Sequence, residues 1–596
     1  MADMDAATRR AGLRLAAIIA VGASLLTSGP AGATEAAPAR VVTTSLRQAA
    51  ESIPVVPALT AGYAFRLFRV PGARRSPSRI PVIGFPAAWS QGAYGWSDSL
   101  RRSFTRGLPT YPRRTGPTAR ARSLLAALAA DPASVDCGQV AAIATALVSW
   151  GLSLEPDVKA QLAARAGACP EASLTIPLRN TQRRIGSMTS RNPYAASGES
   201  ALASVADLLT ATPGPPIPRE LFGLHIAPGA SAPPFPYGYV RLWDAGVGWS
   251  AIEPRRGVLR WDGLDEEVTA ARSAGAKVVY VFGPTPAWAG DLSTDPPRDI
   301  ADFRRFVDAI VARYGSGIDA YEIWNEPNLQ TFYTGSVADL VEMTSTVREA
   351  VRSHGSPSRI LAASTTTRLG PSFYNFGVTY FRALGKAGWP VDGFAFHSYP
   401  PASGGPADRV GGISLFRGML MLAKAPDLPI YETEVNYGLG GLQEVTRPVF
   451  GTTAQGYLAQ TFIEGVRYGV TSIDWYAWTA KPYPLLGVQL DPTAVGNLAA
   501  WRWTFDRLVG SSLRGCVAAG GGVICGFAKA GANHLLAYSP AGSPVQVPVP
   551  AGIDTACSMD GVCVPLANGT VQVGVRPLVL TGPPTPAGGV VPGPPD

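Results

Sequence analysis

A chain of 596 residues is too long for one hydrophobic core, so several domains are expected. The apolar share of 46% excludes a wholly disordered chain, and the 66 glycines and 54 prolines call for many turns and some linker. The net charge of +8 is uneven: residues 34–215 carry an excess of about ten Arg and Lys, which suits either an Arg-rich composition or contact with an anionic wall polymer or membrane surface, and nothing points to nucleic acid.

At the N-terminus Arg9, Arg10 and Arg14 precede an apolar run from Leu15 to Leu26, and Ala31-Gly32-Ala33 offers small residues for cleavage before Thr34. This is the pattern of a secretory signal peptide over residues 1–33. The run is shorter than the roughly 20 residues of a spanning helix, so cleavage is expected rather than a retained anchor. A secreted or envelope-associated protein also suits the six cysteines, which fall into three close groups. Six cysteines allow 15 pairings, and nearest-neighbour pairing is the simplest: Cys137 with Cys169, Cys516 with Cys525, Cys557 with Cys563.

Residues 34–115 are Pro- and Arg-rich with little readable structure. Residues 116–212 carry helical signals, with helices expected over Gly138 to Gly151, Leu154 to Ala166 and Ser197 to Thr210, and read as a small helical domain. Pro213-Gly214-Pro215-Pro216 reads as a boundary.

From residue 213 to 510 short β-rich runs alternate with helical stretches. Strands are expected at Phe222–His225, Tyr239–Trp243, Lys277–Phe282, Ala320–Asn325, Ile360–Ser364, Gly393–His397, Ile430–Glu434 and Ser472–Tyr476. Helices fit between most of them: Leu264 to Ala274, Ile300 to Tyr314, Val337 to His354, Tyr380 to Ala387, Ser414 to Leu422 and Gly451 to Tyr468, with Trp501 to Leu508 closing. The stretches Arg368 to Asn375 and Pro400 to Gly411 read as loops. This alternation over about 290 residues predicts an α/β fold, a (β/α)8 TIM barrel. Residues 511–582 turn to short strands with Gly-rich turns, including Val523–Phe527, Leu535–Tyr538, Val545–Val549 and Thr570–Val573, and predict a C-terminal β-sandwich-like domain before a Pro/Gly-rich tail, 583–596.

Functional side chains of such a barrel sit at the C-terminal ends of its strands. Glu326 lies just past the fourth strand and Glu434 ends the seventh. Two carboxylates at one barrel mouth, with aromatics around them, suit glycosidic cleavage. Period-two alternation places Glu432 on the face of Glu434, as a rival, and Glu322 on the face of Glu326 but deeper.

Trp324-Asn325-Glu326-Pro327-Asn328 resembles the acid/base motif of clan A glycoside hydrolases. Val240-Arg241-Leu242-Trp243-Asp244, Trp249, Ile252-Glu253-Pro254, Trp261 and Thr285-Pro286-Ala287-Trp288-Ala289 are similar in order and spacing to glycoside hydrolase family 39, whose members include β-xylosidases, α-L-iduronidases and exopolysaccharide hydrolases. The resemblance spans the barrel, about half the chain. It implies that Glu326 is the general acid/base, Asn325 the ligand of the sugar 2-hydroxyl and Glu434 the nucleophile of a retaining hydrolase. It further implies that Arg241 keeps that nucleophile ionised, that Tyr399 beside His397 orients it, and that Trp475 or Trp478 floors the subsite. His225 either touches substrate or packs below it, and Trp288 is expected to line the site. The chemistry implied needs neither metal nor organic cofactor. A carbohydrate polymer or oligosaccharide is the expected substrate. The extra domains favour endo action on an exopolysaccharide or wall glycan over exo action of the β-xylosidase type, the alternative from another class being a carbohydrate-binding or wall scaffold with a degenerate barrel.

Overall fold

A computed structural model describes residues 134–140, 192–196, 204–440, 445–566 and 569–582. The expected signal peptide, the Pro/Arg-rich segment, most of the helical region, Cys169 and the tail lie outside the described residues. Among these residues no helix is long and apolar enough to cross a membrane.

Eight parallel strands close into a barrel: β1 (Phe222–Ile226), β2 (Tyr239–Leu242), β3 (Lys277–Val281), β4 (Ala320–Glu322), β5 (Arg359–Thr366), β6 (Gly393–His397), β7 (Ile430–Val435) and β8 (Ser472–Trp478). β1 pairs with both β2 and β8, which closes the ring. Both faces are covered, so the strands read as near-continuous apolar runs. Inside, Tyr239, Val279, Ala320, Leu361, Ala395 and Tyr431 form one buried layer. Below the mouth Gly223 meets Asp474: a Cβ at Gly223 would lie 1.6 Å from the Asp474 Oδ1, so only glycine fits.

Seven helices cover the barrel: α1 (Asp262–Ser273), α2 (Ile300–Tyr314), α3 (Val337–Ser353), α4 (Gly370–Lys386), α5 (Pro406–Leu422), α6 (Gly451–Arg467) and α7 (Val495–Leu508). Local chemistry starts several of them. The Asp299 carboxylate caps α2 by accepting from the Ala301 N–H, and Ser336 with Asp339 makes a reciprocal capping box on α3. Three helices begin well before the expected positions. α5 takes in the second half of the stretch read as the loop 400–411, because Pro406 presets the first helical φ and the Asp408 carboxylate accepts the Gly405 N–H. α4 likewise absorbs most of the loop expected at 368–375. Its glycine- and aromatic-rich first turns have low helix propensity, and burial of Phe373 and Tyr374 decides the outcome.

After α7 come eight antiparallel strands, twice the number named from the sequence: β9 (Ser512–Ala519), β10 (Gly522–Lys529), β11 (Ala532–Tyr538), β12 (Val545–Pro548), β13 (Thr555–Cys557), β14 (Cys563–Pro565), β15 (Thr570–Val573) and β16 (Leu578–Thr581). Six form a sheet in the order β14-β13-β16-β11-β10-β9, and β12 and β15 pair separately. Val547, Val571 and Val573 of the pair pack on Ile524, Leu535 and Ala537 of the sheet, a small two-layer sandwich. Disulfides join Cys516 to Cys525 and Cys557 to Cys563, each across directly opposed strand positions. Cys137 is also disulfide-bonded.

The segment before the barrel belongs with these domains. Of the helix expected over 197–210, the described part is a single 3-10 turn, Ala206–Leu209, whose Leu208 is buried in the sandwich core. The Gly214 N–H donates to Leu513 O and the Ile217 N–H to Ser511 O, so the stretch read as a boundary lies along the start of β9. Earlier, the Asn192 amide donates to the carbonyl of Val466 and the Tyr194 hydroxyl to that of Val470, tying residues 192–196 to the end of α6.

Candidate active site at the barrel mouth

Arg241 of β2 organises the centre. Its guanidinium is fully buried and every arm is engaged: Nε and Nη2 form a fork on Glu322 at 2.9 and 2.6 Å, Nη1 donates to Glu434 at 2.7 Å, and Nη2 donates to the Asn325 Oδ1 at 2.8 Å. Such a fork holds two carboxylates and an amide in one fixed plane. Glu322 is thereby a buried structural carboxylate, as expected of its depth. Donation to Oδ1 also fixes the orientation of Asn325 and leaves its NH2 as a donor.

Glu434 reaches the mouth through an irregularity. Phe396 pairs with Glu432 while the next residue, His397, pairs with Glu434, so β7 carries one extra residue, Thr433. The bulge breaks the alternation that would put both glutamates on one face. Glu432 points out between α5 and α6, where Arg409 clasps it at 2.9 and 3.1 Å through Nε and again through Nη2, and where the Ser398 hydroxyl also donates to it. Glu432 is therefore removed from the mouth. Glu434 accepts from Arg241 on one oxygen and from the Tyr399 hydroxyl on the other, at 2.9 Å.

Glu326 sits in the turn after β4 with φ of 42°, a left-handed conformation that disfavours a side chain. Its neighbours hold it there. Asn328 exchanges two hydrogen bonds with the Thr366 backbone at 3.0 and 3.1 Å, and the Trp324 indole N–H donates to Phe332 O. Trp324 itself fills the space over Gly283, whose φ of 108° and lack of a side chain admit the ring. His397 of β6 bridges the two glutamates: Nδ1 lies 2.9 Å from the Glu326 Oε1 and 3.6 Å from the Glu434 Oε2, and Nε2 lies 3.2 Å from the Thr433 hydroxyl. One oxygen from each glutamate and a ring nitrogen of His397 all lie within 4.8 Å of one another.

Both glutamates are only 7% exposed. Burial pushes Glu326 up to about 7, against smaller opposing effects of Thr366 and Arg241. Burial also raises Glu434, more than His397 and Arg241 lower it. Arg241 acts on Glu434 in the expected direction, and burial outweighs it. Burial takes His397 down to about 4, so the ring is neutral near pH 7 and offers one donor and one acceptor. Its contact with Glu326 is then a hydrogen bond that suits either protonation state of the carboxyl group.

Glu326, His397 and Glu434 have the donor set and closeness of a metal site. The buried Arg241 cation, 2.7 Å from Glu434, opposes a second positive charge there, so the residues fit a divalent ion poorly.

The aromatic expectations need correction. Trp475 is fully buried on the outer side of β8 beside Tyr437, at the opposite parity to Asp474 and Tyr476. Trp478 is covered by the β1–β2 connection, edge-on to Phe235 with its indole N–H on Ser231 O. Tyr476, half-buried and not singled out from the sequence, is the β8 aromatic that reaches the mouth; it packs edge-on against His225 and donates to the Asp244 Oδ2 at 2.8 Å. Alternation from the buried Asp474 is the signal that could have found it. His225 packs beneath this ring, its Nε2 2.9 Å from Thr433 O. Trp288 stands half-buried in the β3–α2 connection, edge-on to Trp249, with its indole N–H on Glu253 O.

No family model and no curated protein matches the chain. Solved structures do. A family 39 glycoside hydrolase from the gut symbiont Bacteroides cellulosilyticus is 17% identical at a TM-score of 0.46, over 62% of this chain and 83% of that one. A GH30 endoxylanase from Clostridium papyrosolvens is 13% identical at a TM-score of 0.43, over 63% and 98%. A GH51 arabinofuranosidase from Xanthomonas axonopodis pv. citri is 13% identical at a TM-score of 0.40, over 62% and 97%.

Proposed function

We propose that the chain is a glycoside hydrolase that cleaves an O-glycosidic bond with retention of configuration, Glu434 acting as nucleophile and Glu326 as acid/base. The observation that carries this is the spacing of the two carboxylates, with one oxygen of each within 4.8 Å of the other. Retaining enzymes hold the pair at about 5–5.5 Å, whereas inverting ones leave room for a water at about 6.5–9.5 Å. Their environments differ in the required sense. Glu434 has a cation and a hydroxyl donor on its two oxygens, which favour the anion; on Glu326 burial outweighs the lowering effects of Thr366, Arg241 and Arg368.

In the first step Glu434 attacks the anomeric carbon while Glu326 gives its proton to the departing oxygen. A glycosyl ester on Glu434 results. In the second step Glu326, now ionised, takes a proton from water as the water oxygen attacks the same carbon and Glu434 leaves. Asn325 offers its NH2 to the hydroxyl next to the reacting carbon. Arg241 and Tyr399 receive charge back on Glu434 as the ester breaks. Export of the enzyme is supported by the N-terminal segment and the disulfides, and endo action on an exopolysaccharide or wall glycan by the presence of chain beyond the barrel.

The test is a panel of polysaccharides and oligosaccharides with product analysis by NMR. Wild type is expected to release sugars of retained configuration, and Glu434→Ala and Glu326→Ala to bind glycan without turnover. Products that persist unchanged in Glu434→Ala would sink the nucleophile assignment. Wild type that binds glycan yet cleaves none would favour the scaffold alternative.

A further inference from the structure

Next to Glu434, the ends of β2 and β8 build a polar wall that the two-carboxylate chemistry does not use. Asp244 follows β2 and is exposed at the mouth. The Tyr476 hydroxyl donates to its Oδ2 at 2.8 Å, and the Tyr476 ring is in turn held edge-on by the buried His225, with ring centroids 4.9 Å apart. The Tyr476 hydroxyl thus fixes one oxygen of the carboxylate. Through Tyr476 and His225, whose Nε2 lies 2.9 Å from Thr433 O, the carboxylate is linked to the strand end that carries Glu434.

The charges around this wall select a class of sugar. Once ionised, Glu434 and Asp244 are both acceptors only. The nearby cation, Arg241, is buried and engaged by Glu322, Glu434 and Asn325, which leaves no free arm for an anionic substrate. The other cation that acts on Glu326 is Arg368, which stands beyond β5 and donates to Leu439 O, on a different side of the mouth. A glycone carboxylate seated between Glu434 and Asp244 would bring a third negative charge beside two carboxylates, with the Arg241 cation already engaged.

Resting on the retaining-hydrolase reading above, we propose that Asp244, oriented by Tyr476, is the specificity residue of the glycone subsite. It accepts hydrogen bonds from hydroxyl or ammonium groups of a neutral or amino sugar and turns away a uronic acid. Losing a hydrogen bond to a charged group corresponds to roughly a 10- to 100-fold change.

The experiment compares wild type, Asp244→Asn and Tyr476→Phe on oligosaccharides whose glycone at the cleaved bond is neutral, amino or uronic. Wild type is expected to cleave at neutral or amino glycones and not at uronic ones. Asp244→Asn should lower kcat/KM on the preferred substrate by roughly 10- to 100-fold and narrow the preference against the uronide, with an unchanged melting temperature because the side chain is exposed. Tyr476→Phe should move both in the same direction by less. Cleavage by wild type at a uronic acid glycone, or Asp244→Asn with unaltered kcat/KM, overturns the proposal while leaving the hydrolase reading intact. Absence of cleavage by wild type across the whole panel overturns both.

Discussion

Burial raises the Glu326 carboxyl to about 7, and on the proposed hydrolase reading that property sets the pH range of the chemistry. The first step needs Glu326 protonated and Glu434 ionised. The folded Glu326 has its affinity for the proton raised from 4.5 to about 7, so the acid form persists well above the usual carboxylate range and is lost as pH rises through about 7. The expected kcat/KM profile therefore falls on its alkaline side near pH 7. Glu326→Gln should lower kcat on unactivated substrates by roughly 10²- to 10⁴-fold. With an activated aryl leaving group, which needs no proton, the same variant should lose the alkaline limb. A limb that survives there would assign it to another group.

At the scale of elements, the β7 bulge does two jobs. It turns Glu434 into the mouth, and it turns Glu432 outward to lock β7 and β6 against α5 and α6. Ser398, which donates to Glu432, lies between His397 and Tyr399, so the same buried ion pair steadies two of the groups that contact Glu434. Arg409 also donates to Thr461 O at 3.0 Å, and Thr461 meets the Tyr437 hydroxyl at 2.6 Å. Removing one partner leaves a buried charge without compensation. Glu432→Gln is expected to destabilise the fold by about 3–5 kcal/mol, measured by urea unfolding. The double variant Glu432→Leu with Arg409→Met should recover much of that loss. A single variant as stable as wild type would contradict the assignment of this pair as a structural clamp.

For the whole molecule, the C-terminal sheet is part of the barrel's outer packing. One face covers β12 and β15; the other lies on α6 and α7. The Tyr538 hydroxyl donates to the Glu464 Oε1 at 2.5 Å, and the Gln460 amide donates to the carbonyls of Ser539 and Val575. At Gly456 a Cβ would approach Val575 O within 2.5 Å, so the two surfaces meet backbone to backbone. Phe527, Leu536 and Tyr538 share one continuous core with Phe462 and Trp501. A chain ended after Gly510 would expose that face of α6 and α7. It is expected to be insoluble or to melt well below wild type, as read by circular dichroism. A soluble, equally stable and active truncated barrel would show the domains to be independent.

The barrel was legible because strands buried on both faces alternate with amphipathic helices, and that period is a local property of residues such as Val278 to Val281 and Phe303 to Val311. The carboxylates were legible because each lies at a strand end. What stayed hidden was set by contacts between distant residues. The outward turn of Glu432 depends on a one-residue bulge and on Arg409, 23 positions away. The early start of α4 depends on burial, and the missed strands β9, β13, β14 and β16 are short, Gly-rich or interrupted by cysteines. Tyr476, not Trp475 or Trp478, reaches the mouth because side-chain parity in β8 is counted from its register with β1 and β7. The sequence by itself determined which residue types lie at the strand ends. Only the tertiary structure decided which of them face one another, because direction and charge environment depend on partners that local periodicity does not see.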